Sequence, residues 1–181
     1  MSERVLEDRW SAATIALHWL SALVVVGLLV LGLTMVHAID DAATKFDLYQ
    51  WHKSFGFVAL ALLALRLLAR LRPAPTALPM PLWEHRAATA MHWTLYLLTL
   101  VATLSGWLLA SAAVIPIPTR FFNLFVIPAI ASPNATLAER MTALHLGATW
   151  LMGALVALHI AAAFKHHFID RDATLRRILP G

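Results

Sequence analysis

His145 and His159 stand fourteen residues apart in one apolar run, while His18 and His52 stand in two others. At 100° per residue, fourteen residues return to within about 40° of the same helix face and rise about 21 Å. One helix therefore presents two imidazoles to one side at two depths. Each depth has a partner: His18 lies toward the inner end of the first apolar run, and His52 at the outer end of the second. Two neutral imidazoles opposed at one depth form the axial ligand set of a six-coordinate haem iron, and two such pairs predict two haem b groups stacked across a bilayer. Zinc also takes histidine, but it wants about four ligands at one site rather than two levels of two. Any one histidine on an apolar helix is as readily a polar side chain bonded to nearby backbone. A set of four that pairs by depth against one shared helix is not explained that way.

Arg66 follows His52 by fourteen residues, so it falls near the same face and at the depth of the inner pair. An arginine there is costly against lipid, and a haem propionate is a carboxylate suited to its bidentate fork. The alternative of equal weight is an arginine near a helix end that snorkels to the interface. Arg70 and Arg72 read as interfacial anchors, and Lys53 as an outer propionate contact or an exposed residue. His92, at about the depth of His18, has three open readings: substitute ligand, propionate contact or part of a quinone pocket. His37 reads as exposed, and His85, His166 and His167 as inert residues of the cytoplasmic surface. Gly56, Gly106 and Gly147 would let a flat macrocycle approach, although small residues also serve ordinary helix packing in membranes. Trp19, Trp93, Trp107 and Trp150 fit the interfacial belts best.

The elements that must position these residues follow from composition. The chain has 181 residues, 60% apolar and 13% charged. A soluble domain carries about 25% charged residues, so lipid is the natural solvent here. Four apolar runs are long enough to span, at roughly Ala12–Val36, Trp51–Leu71, Ala87–Ala112 and Met141–Phe168. The expected fold is an all-α, integral membrane, up-down-up-down four-helix bundle forming one domain over residues 1–181. There is no cysteine. That excludes disulfides, iron–sulfur clusters, thiolate ligation and covalent haem attachment. The net charge of +4 does not point to nucleic acid, because the basic residues gather at helix ends rather than on a solvated face.

Three connections separate the spans. The first is short and polar, with Asp40, Asp41, Lys45 and Asp47. The second, Arg72–Arg86, holds Pro73, Pro75, Pro79 and Pro81, which no helix interior tolerates. The third, Ala113–Arg140, alternates Pro116, Pro118, Pro128 and Pro133 with Phe121, Phe122, Phe125 and Ile127. It is too broken to span and too apolar to float free, so an interfacial loop lying over the bundle is expected. No internal repeat or low-complexity tract is visible. Ten Lys and Arg residues fall at the N-terminus, the second connection and the C-terminus, against four on the other side (Lys45, Lys53, Arg120 and Arg140). The positive-inside rule then predicts cytoplasmic termini. The first apolar run follows a mixed-charge start (Glu3, Arg4, Glu7, Asp8, Arg9) and is too long for a signal-peptide core, so it is expected to remain in the mature protein.

The residues so placed resemble the bacterial cytochrome b561 family, small four-helix di-haem b-type cytochromes. The matching stretches are A-L-H-W-L at Ala16–Leu20, W-H-K-S-F-G at Trp51–Gly56 and R-L-L-A-R at Arg66–Arg70. Helix four carries the more specific ones: L-H-L-G at Leu144–Gly147, L-H-I-A-A-A-F-K-H-H-F at Leu158–Phe168 and D-A-T-L-R-R-I-L-P at Asp172–Pro180. The resemblance covers nearly the whole chain, with the third connection its least family-like part. It implies haem ligation by His18, His52, His145 and His159, a bacterial inner-membrane location and electron exchange with the quinone pool. Some members of such a family oxidise superoxide and reduce ubiquinone.

With both axial positions filled, neither iron would offer an open site for O₂ activation, which leaves electron transfer. Two functions are expected from that chemistry. One is a quinone-linked carrier, with superoxide as a donor drawn by a positive outer rim that includes Lys53. The other is a haem-bearing membrane anchor that relays electrons for a partner dehydrogenase or hydrogenase. A haem-free transporter is disfavoured, because no charged path crosses the helices.

Overall fold

The computed structural model describes residues 9–76, 78–115 and 117–180. Glu3, Arg4, Glu7 and Asp8 of the mixed-charge start, and Pro116, lie outside the described residues. Four helices are long and apolar enough to cross a membrane. They are α1 (Ala12–His37), α2 (Ala42–Ala69), α3 (Leu82–Ala112) and α4 (Ala135–Phe164), the last continuing through a π-helical turn over Lys165–Ile169.

Three of the four starts carry a side-chain cap. The side chains of Ser11, Asp41 and Asn134 accept the backbone N–H of Thr14, Thr44 and Leu137, respectively. Each satisfies a donor that the first turn leaves without a helical partner. α3 begins instead behind Pro81, whose fixed φ suits a helix entry. These signals correct the helix bounds read from hydropathy. α2 starts at Ala42 rather than Trp51, so Lys45 and Asp47 belong to its first turns and the connection shrinks to residues 38–41. α3 and α4 also begin earlier than expected, at Leu82 and Ala135. Polar turns that project beyond the hydrocarbon are helical without being apolar, and an apolar window cannot see them.

α3 and α4 share the most extensive contact, α1 and α2 the next, and α2 and α3 a smaller one, while α1 and α4 barely touch. A small apolar core of Leu98, Ala102, Ala148 and Met152 joins α3 to α4. Among the described residues, the largest side chains that are fully buried are only Ser54 and Ser105.

The third connection is not an unstructured loop. Thr119–Phe121 (β1) pairs antiparallel with Phe125–Ile127 (β2), with Phe121 opposite Phe125. Gln50 and Ser54, one turn apart on α2, bind this hairpin. The Gln50 amide donates to Pro118 O at 3.1 Å and accepts Arg120 N–H at 3.1 Å. The Ser54 hydroxyl lies 3.0 Å from Arg120 O and accepts Phe122 N–H at 3.0 Å. Phe122 has φ 48° and Asn123 φ 60°. Asparagine tolerates that region, but a bulky aromatic rarely does. Phe122 is held there by Ser54 and by the rings of Trp51, Phe55 and Phe121, each within 5.5 Å centroid to centroid. On the α3 side, Trp107 Nε1 donates to Pro128 O and Ile130 N–H to the Ser111 hydroxyl.

At the opposite end of the bundle, the C-terminal segment folds back beneath the helices. Arg9 donates to Leu179 O, Trp19 Nε1 to Ile178 O at 2.7 Å, and Arg177 to Thr76 O at 2.7 Å. Lys165 bridges Glu84 and Asp170, each at 2.8 Å.

A candidate bis-histidine centre at two levels

α4 carries His145 near its hairpin-side end and His159 toward its terminal-side end. The rise and rotation of fourteen residues deliver both rings to the side that faces α1 and α2. His52 of α2 meets His145, with ring centroids 6.2 Å apart and planes at 75°. His18 of α1 meets His159, at 6.4 Å and 56°. A metal–imidazole bond is about 2 Å long, and the ring centre lies about 1 Å beyond the nitrogen. Two axial imidazoles on one iron therefore hold their centroids about 6 Å apart, and both pairs have that spacing.

Helix packing prepares the hairpin-side pair. A Cβ on Gly106 of α3 would sit 3.2 Å from both Cε1 and Nδ1 of His145, and one on Gly32 of α1 would sit 3.5 Å from Cε1 of His52. Gly106 is the recess into which the His145 imidazole fits, while Gly32 stands at ordinary contact distance from His52. His145 Nδ1 donates to the Ala102 carbonyl at 2.8 Å, with the Ser105 hydroxyl at 3.5 Å. A carbonyl only accepts, so Nδ1 carries the proton and Nε2 keeps a free lone pair. His52 Nδ1 is buried with no hydrogen-bond partner. A buried polar atom without a partner is costly, and a ring that lends one nitrogen to a metal accounts for its position. The donor set, the spacing and the Gly106 recess all fit a bis-imidazole iron.

The terminal-side level is built differently. Arg66 Nη2 lies 3.4 Å from His18 Nδ1, and its guanidinium stacks 5.0 Å above the Tyr96 ring. Arg70 stacks on both Trp93 and Tyr96 at 5.1 Å. Arg66 therefore faces the interior beside His18 rather than snorkelling to the interface, and Arg70 is an aromatic-stacked cation rather than a plain anchor. His92 of α3 comes within 5.5 Å of His159, edge to face.

A family signature runs over nearly the whole chain. Residues 9–181 match the family model described as prokaryotic cytochrome b561. The chain belongs to the prokaryotic cytochrome b561 family. It is similar to cytochrome b561 homolog 2 of Escherichia coli K12, at 35% identity over 95% of this chain and 92% of that one. Cytochrome b561 homolog 1 of the same organism is 28% identical over 96% and 98%. A Yersinia pestis protein named probable superoxide oxidase CybB is 26% identical over 97% and 98%. As a b561-family cytochrome, the protein is a haem-carrying, multi-pass membrane protein with four candidate spans.

Of the five residues singled out by spacing, the fold brings His52 to His145 and His18 to His159, with Arg66 at the second pair. Gly106, expected to admit a macrocycle, instead stands against the His145 ring. A Cβ on Gly56 or Gly147 would meet no atom within 4 Å, so both stand against open space. Gly32 was missed, because nothing in its local sequence distinguishes it from other glycines in an apolar helix. His37 and His85 are exposed as expected. His166 is not inert: its Nδ1 meets Asp172 at 2.8 Å and Asp170 at 3.1 Å. The signal available for it was D-A-T-L-R-R-I-L-P, a C-terminal motif with an acidic residue one turn and a half beyond the histidine.

Proposed function

We propose that this b561-family protein is a transmembrane di-haem b-type cytochrome of the bacterial inner membrane that passes single electrons to the quinone pool. The single observation that carries the reading is that two histidine pairs, at two depths, each have bis-imidazole spacing. In it, His52 and His145 hold one haem b, and His18 and His159 the other. Haem iron with both axial positions filled supplies reversible one-electron transfer without binding O₂. The chain's own residues do the rest. Gly106 admits the His145 ring, the Ala102 carbonyl fixes its tautomer, and the helices keep lipid and water from the ligands.

The ten-to-four division of Lys and Arg favours cytoplasmic termini. The hairpin-side level then faces outward and the terminal-side level inward. Superoxide as donor and ubiquinone as acceptor is the leading pair, supported by the likeness to the Yersinia pestis protein and by Lys53 beside His52. A cation at that rim would draw a small anion.

The test is superoxide-dependent ubiquinone reduction by the purified holoprotein and by Lys53→Glu. The variant is expected to slow superoxide consumption, more so at low ionic strength. Equal rates would remove Lys53 from the account. A holoprotein inert toward superoxide and quinone, copurifying with a dehydrogenase or hydrogenase, would replace the reading with that of an anchor subunit.

A further inference from the structure

The two levels place different groups behind one histidine ring each. At the hairpin-side level, His145 Nδ1–H donates to the Ala102 carbonyl at 2.8 Å. An acceptor behind a ligating imidazole makes the ring a stronger electron donor and favours the more highly charged metal. At the terminal-side level, the group beside the corresponding nitrogen of His18 is Arg66 Nη2, at 3.4 Å. A guanidinium has donors only and keeps its charge. It withdraws electron density from the ring if Nδ1 is unprotonated and repels it if Nδ1 is protonated. Either way, positive charge at this level is disfavoured. Arg66 is half-buried, where salt screens little.

We propose that Arg66 is a positioning residue for redox potential: it holds the terminal-side haem at a higher midpoint than the hairpin-side haem, whose potential the Ala102 carbonyl lowers through His145. The inference rests on the ligand pairing proposed above. The gradient makes electron movement from the hairpin side toward the termini favourable, whatever supplies the electrons. It also assigns Arg66 a role distinct from holding a propionate.

The test is a potentiometric titration of the purified holoprotein, followed by its reduced-minus-oxidised absorbance. Wild type is expected to show two one-electron waves. His52→Ala, keeping only the terminal-side haem, should retain the higher wave, and His159→Ala the lower. Arg66→Gln should shift the higher wave downward and leave the lower one in place, while Arg66→Lys should restore most of the shift. A reversed order in the single-haem variants, or a higher wave unmoved by Arg66→Gln, would overturn the proposal. So would an Arg66→Gln protein that loses the terminal-side haem while Arg66→Lys keeps it, since Arg66 would then be a holding group. Failure of the ligand pairing looks different: His52→Ala and His159→Ala would not each lower the haem-to-protein ratio from two to one.

Discussion

The rings of His92 and His159 lie 5.5 Å apart, closer than the 6.4 Å between His18 and His159. Three imidazoles thus share the terminal-side level. Opposed axial rings need about 6 Å between centroids, which both separations approach; the proposed pairing takes His18 as the opposite partner of His159 and His92 as a lateral neighbour. His92→Ala is expected to keep two haems per chain. His18→Ala and His159→Ala should each lose the terminal-side haem, and His52→Ala and His145→Ala the hairpin-side one. Haem-to-protein ratio and the reduced-minus-oxidised spectrum read this directly. One haem in His92→Ala beside two in His18→Ala would exchange the two residues' roles.

The recess at Gly106 predicts an asymmetry between two similar substitutions. Alanine at Gly106 would place its Cβ 3.2 Å from the His145 ring, tighter than ordinary contact. The ring cannot easily yield, because its Nδ1 is tied to Ala102 O. Alanine at Gly32 would meet His52 at an ordinary 3.5 Å. Both changes gain about 1 kcal/mol of helix propensity. Gly32→Ala should therefore leave both haems in place and raise thermal stability slightly. Gly106→Ala should weaken retention of the hairpin-side haem, and Gly106→Val should abolish it while sparing the other. Haem loss on dilution, followed by absorbance, separates the cases. Equal retention in Gly106→Val and wild type would mean the ring does not occupy that recess.

The histidine pairs are legible in the sequence because helix geometry converts sequence spacing into depth and face. His145 and His159 needed only the fourteen-residue interval, and His18 and His52 only their places within spans. The hairpin was not legible. Its strands are three residues long, and it exists because Gln50 and Ser54, some seventy residues away in the chain, complete its hydrogen bonds. Gly32 and the Arg66–His18 contact depend in the same way on which helices become neighbours. The terminal clasp of His166, Asp170 and Asp172 depends on a π-helical turn and a positive φ at Arg171. Neither is encoded by hydropathy.

Ser54 is the pin of the hairpin. It is buried, and its hydroxyl takes up Phe122 N–H while lying within bonding distance of Arg120 O. Ser54→Ala leaves that N–H without its partner, at a cost of about 1–3 kcal/mol. The strained φ at Phe122 loses its anchor at the same time. The variant should keep the terminal-side haem and show faster proteolysis within residues 119–127, with a lower melting temperature. Ser54→Thr, which retains the hydroxyl, should recover much of the protection. Proteolysis of Ser54→Ala at the wild-type rate would mean that the aromatic cluster alone holds the hairpin.

Asp172 gives the C-terminal clasp a pH dependence of definite sign. Burial pushes its carboxyl upward, but the Thr174 backbone N–H at 2.7 Å and His166 at 2.8 Å outweigh it and hold the group below the usual carboxylate range. A carboxyl whose pKa is depressed by folding contributes stability that is fully present above the unfolded value of about 4. That contribution is lost as pH falls through the lower folded value. The tail should therefore stay docked from neutral pH down to about 4 and release only below it. Trp19 reports on docking, because its indole N–H donates to Ile178 O, so the fluorescence difference between wild type and Trp19→Phe is the measurement. In Asp172→Asn that difference should already have the released value at pH 7. Superimposable titrations of wild type and Asp172→Asn would show that the tail is held by Lys165, Arg9 and Arg177 without help from Asp172.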